Sequence, residues 1–274
     1  MSPLHVPNNA DKEVVSQSKV MSDMKSGGVS VALARNNTYF ALSPESHLKA
    51  LAAQMKLIRL TRTAQAAPRR RLPEGFIFPI DCLVALSGGI EEEGASTLIR
   101  FVGSNDFFRI DLLADVGLSR VIRTGHAILI EKDVWMNFGA QFPKFFESMA
   151  EFVHGRNALA IVNATCYSNH RYAKRLARLL LEARVALSAK EEWLPLSQFD
   201  IAQLMNTRRA TVAVELMALA AENLIETKRG KIRIMNGNTL RDRACVCLGK
   251  TEQLAEYQLS ITQAMFLGRR YVVG

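Results

Sequence analysis

Apolar residues recur in short runs between about residues 75 and 135, and each run ends in glycine or in polar residues. The runs read FIFPIDCLVAL, STLIRFVG, FFRIDLL and SRVIRTGHAILI. Short β-rich runs separated by turn residues are typical of antiparallel sheets, and the βαβ alternation of a doubly wound sheet does not appear. The pattern therefore predicts an antiparallel β-roll or barrel.

Helical periodicity appears on both sides of this β-rich region. Apolar positions between Pro44 and about Gln65 are spaced three and four residues apart, which predicts a helix. A longer helix is expected from about Pro143 to Asn169, because proline suits a first helical turn; it would be a rod of roughly 40 Å. A second helix should run from about His170 to Leu187. Helices combined with antiparallel strands predict an α+β fold.

A heptad-like stripe follows the longer helix. An apolar seam with polar interruptions is typical of a register-specific interface between two helices, so the stripe predicts a dimerisation helix. The alternative is that this helix packs against its own domain, since seven positions are a short sample of a heptad. The stripe comprises Phe145, Met149, Phe152, Arg156, Leu159, Asn163 and Cys166.

The segment LSQFDIAQLMN, which follows Pro195, predicts a short helix. Ser197 is a good N-cap, and the apolar residues after it share one side of a helix. A further helix is expected to begin near Thr207, only one or two residues later. Two short helices joined by a tight turn form a helix-turn-helix unit.

The second helix of this unit has two distinct faces. At about 100° per residue, Arg209, Ala210 and Val214 lie roughly opposite the packing face. The packing face comprises Val212, Leu216 and Leu219. The next segment, TKRGKIRI, consists of two short runs around Gly230 and predicts a basic hairpin suited to phosphate contacts. The order helix, turn, helix and basic hairpin indicates one kind of domain far more specifically than any one of these elements does.

Charge and hydropathy narrow the class of protein. The 274 residues include 35 Lys and Arg against 26 Asp and Glu, which gives a formal net charge of +9 and favours polyanionic partners such as nucleic acid. No apolar run approaches the roughly 18 residues that a membrane span needs. The N-terminal segment has neither the basic nor the apolar region of a secretory signal peptide. We therefore expect a cytoplasmic protein without a membrane partner.

The four cysteines are Cys82, Cys166, Cys245 and Cys247. They are few and irregularly spaced for a chain of this size, which argues against a secreted disulfide framework. Cys245 and Cys247 form a Cys-x-Cys pair with no histidine or second pair nearby in the sequence. We therefore expect a structural or inert role for the pair and no metal site.

The segment DIAQLMNTRRATVAVELMALAAENLIETKRGKIRI resembles, without an apparent gap, the winged helix-turn-helix of the Crp/Fnr family of bacterial transcription regulators. The similarity extends upstream over CYSNHRYAKRLARLLLEARV and downstream to RACVC, as in the branch with an Ala-Cys-x-Cys ending. It covers residues about 160 to 250 well. The β-rich region, including IFPIDCLVAL, resembles more loosely the family's cyclic-nucleotide-binding-like roll.

The resemblance implies a homodimer that binds double-stranded DNA, with RNA polymerase as a further partner. The second helix of each helix-turn-helix would enter the major groove, and the two copies would read a pseudo-palindrome with half-sites about one turn apart. The expected organisation is a disordered tail over residues 1–42, a sensory roll over 43–142, dimerisation and connecting helices over 143–190, a winged helix over 191–250 and a C-terminal tail over 251–274.

The resemblance also implies which residues contact DNA. Arg209 would read a base, since arginine contacts guanine O6 and N7 together. Arg208 and Thr211 would lie beside it on base or phosphate, and Ser197 would anchor the first helix to a phosphate. The wing would hold the DNA backbone through Lys228, Arg229 and Lys231.

The chain departs from the family at two reading positions. The family often has a glutamate directly after the reading arginine and a second arginine five positions after the first. Here these positions are Ala210 and Val214, which offer only apolar contact to a thymine methyl group. A different target or weaker sequence discrimination should follow.

The family's effector motifs are altered as well. The element that holds a cyclic nucleotide corresponds to GSNDFFRIDLLADVGLSRVIRT, which lacks the family's glutamate and has Ser119-Arg120 in reversed order. Residues 1–81 contain no cysteine for an N-terminal iron–sulfur cluster. The isolated histidines are interpreted as surface or packing residues rather than haem ligands. The resemblance therefore assigns no cofactor or effector, which stays unknown.

The leading interpretation is a dimeric, sequence-specific DNA-binding transcription regulator. The alternative, motivated by Ala210 and Val214, is a ligand- or protein-binding regulatory module whose winged helix no longer reads DNA. An enzyme is not supported, because the sequence shows no nucleophile elbow, P-loop or metal-ligand spacing. The acidic run GIEEEG at 89–94 is interpreted as a solvated turn between strands.

Overall fold

The computed structural model describes residues 29–62, 74–90, 95–109, 117–187 and 191–267. Within these ranges, helices combine with strands whose pairings are antiparallel. The α+β fold predicted from the sequence is therefore confirmed. None of the helices in these ranges is long and apolar enough to cross a bilayer.

Within the described ranges, seven strands form the predicted roll. They are β1 (Lys56–Leu60), β2 (Gly75–Pro79), β3 (Leu83–Ile90), β4 (Ala95–Val102), β5 (Phe108–Arg109), β6 (Gly117–Arg123) and β7 (Gly125–Glu131). They make a four-stranded sheet in the order β1-β7-β2-β5 and a three-stranded sheet in the order β4-β3-β6. Side chains from both sheets, including Ile77, Val84 and Leu129, share one core. Of the predicted GIEEEG turn between β3 and β4, residues 91–94 lie outside the described ranges.

Three short helices precede the sheets: α1 (Val31–Ala34), α2 (Thr38–Leu42) and α3 (Glu45–Ala52). The prediction of a disordered tail is therefore wrong for residues 29–42, while residues 1–28 lie outside the described part of the chain. Tyr39 and Phe40 account for the order, because both are buried and the rings of both contact that of Phe78 in β2. Two buried aromatic side chains can stabilise a segment that is too short to show helical periodicity.

Asn37 ties these N-terminal helices to the roll. Its side-chain amide donates hydrogen bonds to the carbonyls of Pro79 and Asp106, each at 2.9 Å. The same side chain caps α2 by accepting from the Tyr39 amide at 3.1 Å. Asn37 is fully buried, so these bonds satisfy its polar atoms inside the core.

The helix predicted from Pro44 to about Gln65 ends at Ala52, so the prediction is wrong over residues 53–62, and residues 63–65 lie outside the described ranges. The chain continues as β1, which pairs with β7 in a register that places Ile58 opposite Ala127. Apolar spacings of three and four fit a helix followed by a strand as well as one long helix. Pairing with a distant strand decides between them.

Three helices follow the roll: α4 (Lys132–Gln141), α5 (Pro143–Asn169) and α6 (Tyr172–Ala186). The bounds of α5 are those predicted from the sequence, and α6 lies within its predicted range. The C-terminal elements are β8 (Trp193–Leu194), α7 (Gln198–Leu204), α8 (Arg209–Ala221), β9 (Ile225–Lys228), β10 (Lys231–Ile234), α9 (Gly237–Arg243) and α10 (Cys247–Phe266). Strands β8, β10 and β9 form a three-stranded sheet in that order.

Helix α10 corrects the predicted C-terminal tail over residues 251–266, whereas residues 268–274 lie outside the described part of the chain. It packs along α5, where Gln258 Nε2 donates to the Phe152 carbonyl at 2.6 Å. A Cβ on Gly155 would lie 2.0 Å from Gln258 Nε2, so this glycine permits the close approach of the two helices. At its far end, Phe266 contacts the ring of Tyr39 with centroids 5.8 Å apart. The helix therefore connects the winged domain to the N-terminal core.

The heptad-like stripe on α5 faces its own chain. Its apolar members are buried, and its two polar members also find partners within the chain. Arg156 Nε lies 3.2 Å from the Asp106 carboxylate, and the Asn163 side chain donates to the Ile99 carbonyl. For these positions, the prediction of a dimer seam is wrong and the alternative of packing within the domain is correct, since periodicity identifies an apolar face but not what covers it.

Candidate nucleic-acid interface

Helices α7 and α8 form the predicted helix-turn-helix. They are joined by residues 205–208, a longer turn than the one or two residues expected from the sequence. Asn206 has a φ of 46°, a left-handed conformation that asparagine adopts more readily than most residues with a side chain. This residue therefore lets the chain reverse between the two helices.

Helix α7 begins with a capping box. Ser197 Oγ accepts a hydrogen bond from the Asp200 amide at 3.1 Å, and the Asp200 carboxylate accepts one from the Ser197 amide at 2.8 Å. Sequence reasoning identified the cap but missed Asp200, although the Ser-x-x-Asp spacing carries this motif. The Ser197 hydroxyl, predicted to anchor a phosphate, is thus already engaged at the helix start.

Helix α8 buries one face and exposes the other, as the sequence predicts. Val212 and Leu216 are buried in the core of the winged domain. On the opposite side, the side chain of Val214 is 66% exposed. The exposed residues at the start of the helix are Arg208, Arg209, Ala210 and Thr211. The free face therefore presents two guanidinium groups beside a short apolar strip.

Gln198 is a neighbour of Arg209 that sequence reasoning did not single out. It is the first residue of α7, and its Oε1 lies 3.5 Å from Arg209 Nε. This contact places the guanidinium group of Arg209 near the N-terminus of α7. A polar side chain directly after an N-cap was the only sequence feature pointing to it.

Strands β9 and β10 form the predicted wing. Their turn passes through Gly230, whose φ of 73° lies in the region that favours glycine. Lys228, Arg229 and Lys231 all have exposed side chains. Lys228 Nζ also lies 4.4 Å from the centroid of the Trp193 ring in β8, a cation–π contact that sequence reasoning missed.

Comparisons with known proteins agree with this geometry. The family described as Crp-like helix-turn-helix domain matches residues 174–243. The fold matches FixK2 from Bradyrhizobium japonicum with a TM-score of 0.58 and 14% identity, over 70% of this chain and 98% of the other. It matches a protein assigned to the Crp/Fnr family from Eubacterium rectale with a TM-score of 0.56 and 14% identity, over 75% and 100% of the two chains. Among curated proteins, none matches.

Residues 174–243 thus match a Crp-like helix-turn-helix domain, and the fold of the chain is similar to that of Crp/Fnr family regulators. The Crp-like domain that matches is a DNA-binding domain, and it spans the predicted helix-turn-helix and wing. The sequence identity between the solved structures and this chain is low, so the similarity concerns the fold alone. These structures include the c-di-GMP-responsive regulator CLP from Xanthomonas campestris, with a TM-score of 0.51 and 15% identity over 70% of this chain and 99% of the other.

A cavity of about 590 Å³ lies between the roll and α5. Aromatic side chains, including Phe76 and Trp135, line its inner wall. Arg100 and Arg156 also line it, and both guanidinium groups contact the single carboxylate of Asp106, at 3.4 and 3.2 Å. Burial lowers the pKa of Arg156 to about 10. Two guanidinium groups against one carboxylate leave the wall with a net positive charge.

A second cluster joins residues from distant parts of the chain. Cys166 and His170 at the end of α5 lie beside Cys245 and Cys247, which flank the start of α10. The fold therefore brings a histidine and a third cysteine beside the Cys-x-Cys pair, although none lies near it in the sequence. Ligands separated by more than seventy residues cannot be recognised from local spacing, which is why sequence reasoning found no metal site.

Proposed function

We propose that this regulator binds a two-fold symmetric DNA site as a homodimer and reads it with the free face of α8. The observation that carries the proposal is the division of α8 into a buried apolar face and an exposed face that begins with two arginines. An exposed basic wing packs against the same helix. These charges suit an arrangement in which the helix enters the major groove and the wing contacts the DNA backbone.

The roles of individual residues follow from their positions. Arg209 reads a base, with Gln198 orienting its guanidinium group, and Val214 offers an apolar contact to a thymine methyl group. Arg208 and Thr211 contact base or phosphate beside it. Ser197 places the N-terminus of α7 against a phosphate, where helix amides favour negative charge. The backbone contacts of the wing come from Lys228, Arg229 and Lys231.

The homodimer forms through a stripe on α5 that we call the outer seam. Its residues alternate spacings of four and three, as in a coiled coil, and all are exposed in the single chain. Small residues at three of the six positions permit close approach of two helices, and one asparagine in an apolar seam fixes their register. The outer seam comprises Phe146, Ala150, Val153, Asn157, Ala160 and Ala164.

The outer seam also forms one side of the cavity. Dimerisation and effector binding would therefore involve the same face of α5. Ala150, Val153, Asn157 and Ala160 belong to the seam and line the cavity. A partner helix on the seam would close the cavity from that side. The aromatic lining and the net positive wall favour an apolar effector with an anionic group.

By analogy with the Crp/Fnr family, the dimer acts in the cytoplasm at promoters and contacts RNA polymerase there. We do not propose an enzymatic activity, because the site described above is built for binding. The module that no longer reads DNA remains the alternative, favoured only by the apolar residues Ala210 and Val214.

Selection of bound sequences from a random double-stranded DNA library tests the proposed function. We expect enrichment of one pseudo-palindrome, with half-sites about one helical turn apart. Binding should weaken steeply with salt, because phosphate contacts release counterions. Failure to enrich any motif at low salt would contradict the proposal and favour the alternative. A motif without two-fold symmetry would contradict the homodimer only.

A further inference from the structure

Four potential metal ligands converge where α5, the winged domain and α10 meet. The sulfur atoms of Cys166, Cys245 and Cys247 and a ring nitrogen of His170 all lie within 4.8 Å of one another. The three cysteines are 2%, 4% and 6% exposed, and His170 is half-buried. Four soft or borderline donors around one point form the Cys3His set that structural zinc sites use.

The measured separations fit one tetrahedral ion. Cys166 Sγ lies 3.4 Å from Cys245 Sγ, and Cys247 Sγ lies 3.6 Å from His170 Nδ1. With Zn–S bonds of about 2.3 Å and Zn–N bonds of about 2.0 Å, a tetrahedral site places two sulfurs about 3.8 Å apart and a sulfur and a nitrogen about 3.5 Å apart. Small side-chain rotations are therefore enough to complete the coordination sphere.

Local structure presents these ligands in two pairs. Cys166 lies on the last turn of α5, and His170, four residues later, is the C-cap of that helix. The amide of His170 donates to the Cys166 carbonyl at 3.0 Å, which holds the pair together. Cys245 and Cys247 are two residues apart at the junction of α9 and α10. Val246 between them is 76% exposed, so both thiols point inward while it points out.

We propose that Cys166, His170, Cys245 and Cys247 bind one zinc ion, which fixes the winged domain to the end of α5 and to the start of α10. The ion would be structural, because four protein ligands fill the tetrahedral positions. Arg178 lines the same small cavity as Cys166, so a guanidinium group beside the site supports the negative charge of the thiolates. Metal binding itself does not depend on the proposed DNA function.

The site lies at a point that matters for that function. α5 carries the proposed dimer interface, whereas the residues after His170 build the DNA-binding domain matched at 174–243. A metal ion that joins the end of α5 to residues 245–247 would link the residues just before the matched domain to those just after it. It would therefore set the orientation of each reading helix relative to the dimer axis.

Metal content of the full-length protein, purified under reducing conditions, is the direct test. We expect one zinc per chain by elemental analysis, after dialysis against metal-free buffer. Cys166→Ser, Cys247→Ser and His170→Ala should each lose most of this zinc. Cys82→Ala is the matched control, because Cys82 is also buried and free but lies in the roll core. Wild-type protein with reduced thiols and no zinc, or ligand variants that keep a full equivalent, would overturn the proposal.

Cobalt(II) titration of the chelator-treated wild-type protein keeps the test independent of how the variants fold. A site with three thiolates and tetrahedral geometry gives a thiolate-to-cobalt charge-transfer band and intense visible absorption, saturating at one equivalent. Weak absorption of octahedral type would contradict the site and leave three buried cysteines that pack as apolar side chains.

A parallel measurement of DNA binding separates this proposal from the proposed function. If zinc is bound but DNA is not, the metal site stands and the DNA function fails. If the protein binds DNA but takes up no metal, the DNA function stands and the metal site fails. If both stand, removal of zinc with a chelator should weaken specific DNA binding, and zinc should restore it.

Discussion

The buried carboxylate of Asp200 in α7 accepts a hydrogen bond at 2.6 Å from Arg62, which lies just beyond β1 of the roll. The same carboxylate closes the capping box of α7 with Ser197. Arg120 of β6 lies 3.8 Å from its other oxygen. One acidic residue thus holds the start of the helix-turn-helix and connects it to the roll, so a rearrangement of the roll would act directly on the helix-turn-helix.

Asp200→Ala should lower the free energy of unfolding by about 1–2 kcal/mol, because it removes a helix cap and leaves two guanidinium groups without their carboxylate. Arg62→Ala keeps the capping box and should cost less than about 1 kcal/mol, since Arg62 is partly exposed. Urea denaturation of both variants measures the difference. Lys56→Ala, which breaks an exposed pair with Glu131, is the control. Equal losses for Asp200→Ala and Arg62→Ala would show that the cap contributes nothing.

Val153→Glu should weaken the homodimer, because it brings a charge from each protomer into the outer seam. We expect the dimer dissociation constant to rise at least roughly tenfold, which corresponds to about 1.4 kcal/mol. Sedimentation equilibrium measures this constant. Glu151→Lys changes an exposed charge outside the outer seam and should leave the constant unchanged. A Val153→Glu protein that dimerises as tightly as the wild type would exclude this face of α5.

Two helical glycines should respond oppositely to the same substitution. Alanine is favoured over glycine in a helix by about 1 kcal/mol. At Gly249 nothing lies within 4 Å of an added Cβ, so Gly249→Ala should stabilise the protein by up to that amount. At Gly155 the Cβ would displace Gln258 and its bond to the Phe152 carbonyl, and we expect a net loss of roughly 1–2 kcal/mol. Thermal or urea unfolding of the two variants checks the sign of each change.

His47 should make the stability of the protein fall on acidification. Its ring lies 4.7 Å from that of Phe142, and its Nδ1 finds no hydrogen-bond partner in the described part of the chain. Burial lowers the pKa of His47 below its usual value of 6.5. The unfolded chain therefore takes up this proton first, and stability is lost as the pH falls from about 6.5 towards the pKa of the folded state.

The difference between wild type and His47→Phe isolates this contribution, because other titrating groups are common to both. Urea midpoints about one unit above and below pH 6.5 should fall more in the wild type than in His47→Phe. His154→Gln, at an exposed position on α5, should behave like the wild type. An identical decline in wild type and His47→Phe would exclude His47 as the source.

The reading module was predictable from the sequence because its determinants are local. The faces of α8 follow from spacing, Ser197 marks the start of α7, and Gly230 marks the turn of the wing. The bounds of α5 were also predictable, since proline and a long periodic stretch define them.

The features that sequence reasoning missed depend on contacts between distant residues. Tyr39 orders the N-terminal helices through aromatic rings from α5 and α10, and nothing in residues 29–42 alone reveals those partners. The stripe on α5 was recognised, but α10 and the roll cover it. Cys166 and Cys245 meet only after the winged domain has folded between them.

The most direct test of the central claim is the affinity of Arg209→Ala and Lys231→Ala for the selected DNA site and for random DNA of equal length. Fluorescence anisotropy at fixed salt measures all four affinities. We expect Arg209→Ala to lose about 1–3 kcal/mol on the selected site and little on random DNA, because Arg209 reads a base. Lys231→Ala should weaken both complexes alike, because it contacts phosphate. Equal losses on both DNAs for Arg209→Ala would contradict the account, since α8 would then contact DNA without reading it.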